Sequence, residues 1–182
     1  MSNIITYTGR LFDVLEPRPE DVDIVDIAHA LANSCLWGGH CRFFFSVAQH
    51  SVITSLHVPP EHGLWGLLHD AAEAYLVDVP RPIKRLLPAY QEMEEIIMAA
   101  VCKRFNMDSV EPLIVKEVDM RLLATEAKTL GMHPQLWGTA LSHPLPVDIN
   151  PQPPGEAKRD FLKRFAQLAR QPLPEDPYEQ HC

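Results

Sequence analysis

The segment LLHDAAEAYL places His69 beside Asp70, with Glu73 one turn further on, in an otherwise apolar run. Three titratable groups in such a run are costly to bury unless something pairs with them. Two further residues of metal-binding type interrupt apolar patterns elsewhere. His50 in VAQHS stands between Val47 and the pair Val52 and Ile53, and Asp119 in KEVDMRLL stands between Val118 and Leu122. On one helix His69 and Asp70 point about 100° apart. Both reach one metal only at the edge of a crevice into which neighbouring helices send further ligands. Two imidazoles and two carboxylates are borderline-to-hard donors, suited to Mn, Fe, Co, Ni or Zn with positions left open for water and substrate. A single buried His is more often a hydrogen-bonded core residue, and a His-Asp dipeptide alone is common. The ordered set across three separate helices is the specific part.

The elements that must hold these groups read as helices. From Asp23, VDIVDIAHALANSC puts Ile24, Ile27, Ala28 and Leu31 on one face, and Gly38 and Gly39 in GGHC break the pattern. FFFSVAQHSVITSLH follows, with Ser46 as its N-cap. Glu61 to Tyr75 is expected as one helix carrying the His69 group, and VDVPRPIKRLLP as a proline-punctuated connection. AYQEMEEIIMAAVCKRF is amphipathic, with Met93, Ile96, Ile97, Ala100 and Val101 inward and the acidic QEMEE on its outer face. A further helix surrounds Asp119, and EAKRDFLKRFAQLAR is a charged surface helix with a buried stripe. Before Asp23, IITYTG and RLFDVL favour β-structure and the prolines of EPRPED stop it. The expected fold is all-α: a single helical-bundle domain over residues 23–170, of five to seven helices with proline-rich connections. Residues 1–22 form an N-terminal extension and 171–182 a tail.

A chain of 182 residues can build one domain with a real core. A net charge of -8, from 24 acidic and 16 basic residues, argues against a broad surface for nucleic acid. It leaves room for a small phosphorylated ligand, because a few local Arg and Lys residues outweigh the global sign within a pocket. No apolar run approaches the length of a membrane span, and MSNIITYTGR lacks the form of a signal peptide. The expected location is cytoplasmic. Cys35, Cys41, Cys102 and Cys182 have no CxxC spacing and read as free thiols. His57, His62, His133, His143 and His181 read as solvated.

From about Asp23 to about Leu130 the chain resembles the HD-domain phosphohydrolase superfamily. Within it the chain is similar to the small 5′-deoxynucleotidases, whose pattern VAEHS…HDxxE…DxPxPxK appears as VAQHS, HDAAE and DVPRPIK. It also resembles compact phage and bacterial relatives carrying GHxRxxxSVAQHS, matched by GHCRFFFSVAQHS, among them phage-type dATP triphosphohydrolases. The resemblance implies that His50, His69, Asp70 and Asp119 hold a divalent metal ion, with Mn, Co, Zn or Mg as the cofactor. Glu73 matches the carboxylate that positions or protonates the reacting groups, making Glu73 and Asp70 the catalytic carboxylates. Asp78 matches the residue that contacts the sugar hydroxyl, and Lys84 the lysine that reaches the phosphate. His40 and Arg42, on the flexible GGHCR segment, are expected to neutralise phosphate oxygens. His40 is also open as the first metal ligand, with His50 behind it, although the VAxHS match favours His50. Ile27, Trp37 and Pro82 are candidates to stack on the base, each with an equally good packing role. Only 18 residues separate His50 from His69, fewer than in the better-known deoxynucleotidases, so the connection over the site is trimmed.

The implied function is metal-dependent removal of the 5′ phosphate or phosphates of deoxynucleotides, dNMP or dNTP, with dATP suggested by the phage relatives. The alternatives are hydrolysis of a signalling nucleotide such as (p)ppGpp and a non-catalytic nucleotide-binding regulator. The relatives also imply a homo-oligomer, a dimer or trimer of dimers, in a bacterial or phage-infected host cytoplasm.

Overall fold

The computed structural model describes residues 2–131 and 143–178; His133, His181 and Cys182 lie outside them. The chain starts with a hairpin in which β1 (Asn3–Ile5) pairs antiparallel with β2 (Leu11–Asp13), Ile4 opposite Phe12. Its turn is tied down where Thr8 donates its backbone N–H and its hydroxyl to Asp26, at 2.7 and 3.0 Å. Phe12 is fully buried and stacks on Tyr75 with ring centroids 3.8 Å apart. The expected extension is thus packed into the core. The last described residues also fold back, with Tyr7 donating to Asp176 at 2.9 Å and Lys158 pairing with the same carboxylate.

The rest is helical, as the periodicity requires. The helices are α1 (Ile24–Asn33), α2 (Val47–His57), α3 (Gly63–Leu68), α4 (Glu73–Leu76), α5 (Arg81–Lys84), α6 (Pro88–Arg104), α7 (Leu113–Thr129) and α8 (Pro154–Ala169). Asp23 and Ser46 cap α1 and α2, accepting from the N–H groups of Val25 and Gln49. The hairpin is the only sheet among the described residues, and the fold is all-α. No described helix is long and apolar enough to cross a membrane.

Helix α2 is the centre of the bundle and packs against α1, α3, α7 and α8. Small residues allow the close approach: a Cβ on Gly66 of α3 would stand 3.0 Å from Ser55 Cα of α2. Helix α8 is fastened by Arg164, whose guanidinium donates to Ser55 Oγ and Ser55 O at 3.0 and 2.9 Å. The segment before α8 is held by Gln49, which donates to Asn150 O at 2.6 Å and accepts from Gln152 N–H at 3.0 Å.

Two expected elements differ. The helix over Glu61 to Tyr75 is interrupted: a 3₁₀ turn (Pro60–His62) leads into α3, and residues 69–72 form tight turns before α4. The N–H groups of Ala71, Glu73 and Ala74 bond three residues back rather than four, which overwinds the chain at the His69-Asp70 step. On α6 the buried residues are Tyr90, Ile97, Ala100, Val101 and Cys102, while Ile96 is 40% exposed and Met93 half-buried. That helix lies beside α4 and α5, so a narrower stripe is covered.

Between α1 and α2 the chain makes a left-handed turn through Trp37, Gly38 and Gly39, with φ of 63°, 60° and 80°. Glycine accommodates this conformation freely; Trp37 does not, and is held in it by its burial. The turn brings the free thiols of Cys35 and Cys41 to 3.5 Å and sets Gly38 against Pro80.

Candidate metal centre

Helices α2 and α7 and the overwound step between α3 and α4 converge on one point. His50, 2% exposed on α2, has Nδ1 at 2.7 Å from Glu126 Oε1 of α7. His69 has Nδ1 at 2.9 Å from the carbonyl oxygen of Gly66, one turn back. Both partners accept a hydrogen from Nδ1, so each neutral ring turns the lone pair of Nε2 the other way. The two Nε2 atoms face each other at 3.2 Å. Asp119 Oδ1 lies 3.4 Å from His50 Nε2, and Asp70 Oδ2 lies 3.2 Å from His69 Nε2 and 3.8 Å from His50 Nε2. Donors bound at about 2.1 Å to one ion, about 90–110° apart, are separated by about 3.0–3.4 Å. The spacing therefore fits a divalent ion, and His50, His69 and Asp119, whose donor atoms all lie within 4.8 Å of one another, could hold one.

The electrostatics point the same way. Burial alone would push the His50 imidazole down, but the Glu126 and Asp119 carboxylates outweigh it and hold the ring well above the ordinary range. His69 is raised by Asp70 against the same cost of burial. Asp70 and Asp119 resist burial and are held low by the histidines. Two imidazoles that favour positive charge 3.2 Å apart mark a position where the surroundings call for a cation.

Beside this cluster a cleft of about 120 Å³ opens, lined by His50, Asp70, Asp119, Glu73, Asp78, Arg81 and Lys84 and walled by Leu36, Trp37 and Leu123. His69 borders a hollow on the far side, shared with Asp70 and the carboxylates of Glu94 and Glu111. Glu73 is buried, and that burial, with the charges of Asp70 and Asp78, holds its carboxyl well above the usual range. Lys84 Nζ bridges Glu73 Oε1 at 3.2 Å and Glu94 Oε1 at 2.6 Å. Asp78 is raised by burial and by Asp70, and accepts from the Trp37 backbone N–H.

The comparisons with known proteins agree on kinship. Over 172 residues the chain is 40% identical to the uncharacterized protein YfdR of Escherichia coli (strain K12), spanning 93% of this chain and 97% of that protein. The chain belongs to the YfdR family. A second relative, the uncharacterized protein RCAP_rcc00048 of Rhodobacter capsulatus, is 32% identical over 183 residues, covering 90% of this chain and 93% of its own. No protein-family model matches the chain.

Within this YfdR-family structure, most of the expected site residues come together: His50, His69, Asp70 and Asp119 at the centre, and Glu73, Asp78, Lys84 and Trp37 around the cleft. His40 is exposed on the turn, away from the donor cluster, so the first histidine of the cluster is His50. Arg42 is exposed; its N–H donates to Leu130 O, and its guanidinium lies over Gly131 at the end of α7. There it offsets the carbonyl end of the helix. Ile27 is fully buried in the core, because the inward face of α1 meets α2, α4 and α8 rather than the cleft. Pro82 is exposed and outside the cleft lining.

Three residues were not anticipated. Glu126 follows Asp119 by two turns on the same face of α7, a spacing that could have exposed it. Arg81 stands inside the DVPRPIK motif and donates from Nη2 to Asp119 Oδ2 at 2.6 Å. Glu94, expected on the outer face of α6, turns inward because Lys84 draws it.

Proposed function

We propose that this protein is an HD-domain, metal-dependent phosphohydrolase that removes the 5′ phosphate or phosphates of deoxynucleotides. The observation that carries the reading is the pair of Nε2 atoms facing each other at 3.2 Å, flanked by Asp70 and Asp119, beside a buried Glu73 tethered to Lys84. A bound divalent ion supplies an electrophile for the phosphoryl oxygen and makes water deprotonation accessible near neutral pH. Glu73, whose carboxyl tends to keep its proton, is suited to pass a proton to the leaving oxygen, with Lys84 fixing its orientation. Asp78 at the cleft edge suits a sugar hydroxyl, and Trp37 supplies an apolar wall. A cleft of about 120 Å³ fits a phosphoryl group and its immediate surroundings, with the nucleoside extending from the mouth. Cytoplasmic location and a homo-oligomeric state belong to the same proposal.

The test is phosphate release by metal-stripped protein given Mn, Co, Mg or Zn and a panel of deoxy- and ribonucleotide mono- and triphosphates together with signalling nucleotides such as (p)ppGpp. Metal-restored turnover of deoxynucleotides, lost in Asp70→Asn, is the expected result. Binding without turnover of any member, signalling nucleotides included, would leave a nucleotide-binding regulator and end the enzyme reading.

A further inference from the structure

We propose that Arg81, rather than Lys84, is the side chain that grips the substrate's phosphate oxygens, an assignment that rests on the phosphohydrolase reading. Both cations line the cleft, but they are engaged differently. Lys84 is 20% exposed, its ammonium fixed by Glu73 and Glu94 and placed 5.4 Å from the centre of the Tyr90 ring. Two of its three donors serve carboxylates, and moving it to a phosphate would strand both of those groups in a partly buried setting. Arg81 is 45% exposed and pairs with a single carboxylate oxygen, Asp119 Oδ2, with its other terminal nitrogen against the Met120 thioether. A guanidinium has five N–H donors, so three remain for an incoming anion.

The two oxygens of Asp119 divide the work. Oδ1 faces His50 Nε2 at 3.4 Å, and Oδ2 accepts from Arg81 at 2.6 Å. The carboxylate therefore joins the guanidinium to the donor cluster without either partner giving way. The backbone adds to this: Pro80 and Pro82 flank Arg81, fix their own φ angles and restrict the residues before them, so the Arg81 stem leaves the first turn of α5 in a set direction. A planar fork held one carboxylate away from the metal ligands matches the geometry of a phosphate. As a stabilising device, a half-exposed Arg-Asp pair contributes little. The ligand chemistry assigned is a phosphate dianion or the terminal group of a polyphosphate.

Inorganic phosphate is titrated by calorimetry into protein saturated with Mn, comparing the native chain with Arg81→Ala, Arg81→Lys and Lys84→Ala. Arg81→Ala is expected to weaken phosphate binding by about tenfold or more, with Arg81→Lys recovering only part, because charge returns without the fork. Lys84→Ala should retain phosphate affinity while losing turnover. Native-like phosphate binding by Arg81→Ala, or its loss in Lys84→Ala instead, overturns the assignment. So does a deficit in Arg81→Ala that a parallel titration finds at limiting Mn but that is absent at saturating Mn, which would make Arg81 only a holder of Asp119. Failure of the two readings is distinguishable. Arg81-dependent phosphate binding with no hydrolysis of any phosphate ester sinks the phosphohydrolase reading alone, and intact hydrolysis with phosphate binding indifferent to Arg81 sinks this one alone.

Discussion

The His50 imidazole and the Glu126 carboxylate meet at 2.7 Å between α2 and α7, neither more than 2% exposed. Glu126 fixes which nitrogen of the ring faces the donor cluster, a role that outer carboxylates commonly play for metal-binding histidines. Glu126→Gln is expected to keep the fold and to weaken metal binding by about 10–100-fold. Glu126→Ala removes one partner of a buried pair and should also cost about 3 kcal/mol of stability. Calorimetric titration with Zn or Mn and thermal unfolding measure the two effects. Unchanged metal affinity in Glu126→Gln would refute the positioning role.

Metal and protons compete for the same imidazoles. Because His50 and His69 are both held above their unfolded values by carboxylates, their contribution to stability is fully present below about pH 6.5 and is lost as pH rises through the raised folded values. Metal-free protein is therefore expected to melt at progressively lower temperature above neutral pH. Metal affinity should rise over the same interval, with proton release on binding. Thermal scans in chelator, with and without added Zn, provide the check. A melting temperature that stays flat above pH 6.5 in the metal-free protein would count against the charged pair.

Gly66 serves two neighbours. Its missing side chain admits α2, with Ser55 Cα and Val58 Cγ2 3.0 and 3.1 Å from where a Cβ would stand, and its carbonyl receives His69 Nδ1. Gly66→Ala must push α3 away from α2 and is expected to destabilise by about 1–3 kcal/mol despite the higher helix propensity of alanine. Metal affinity should drop with it, because His69 moves with the carbonyl. Stability equal to that of the native chain would show that the helices can part without loss.

Gln49 links the centre of the bundle to its last helix. Its amide satisfies two backbone groups, Asn150 O and Gln152 N–H, on the segment that leads into α8. Gln49→Ala leaves both without their partner and should cost about 1–3 kcal/mol. The segment from 143 to 153 should then be cut faster in limited proteolysis, with metal binding retained. Cleavage at the native rate would show that α8 is held by its apolar stripe and Arg164 alone.

The four central donors were legible because each breaks an apolar period on its own element, and such a break is visible without coordinates. The cap at Ser46 was legible for a similar reason: a short polar side chain precedes a helical run. Other features depend on how elements meet. Periodicity put Ile27 on the inward face of α1 but could not say that this face looks into the core. Arg42 sits near His50 in sequence, yet its place is decided by the open space above Gly131, nearly ninety positions on. Glu126, in ATEAK, has the composition of a solvated helix face, and only the packing of α7 on α2 makes it the deepest carboxylate of the site. The overwinding at His69 leaves no mark in residue type, since alanines follow it and favour an unbroken helix.

Under the phosphohydrolase function proposed above, the burial of Glu126 bears on the choice of an inactive allele for work in cells. Replacing His50 with alanine strands a fully enclosed carboxylate, so the variant would be depleted by quality control as well as chemically dead, and its phenotype would mix abundance with lost activity. Asp70, 26% exposed at the cleft, can become asparagine without stranding a group at that depth. Asp70→Asn keeps the size of the side chain and an acceptor beside His69, so it is expected to hold abundance closer to the native level than His50→Ala, which immunoblotting of the two strains would check.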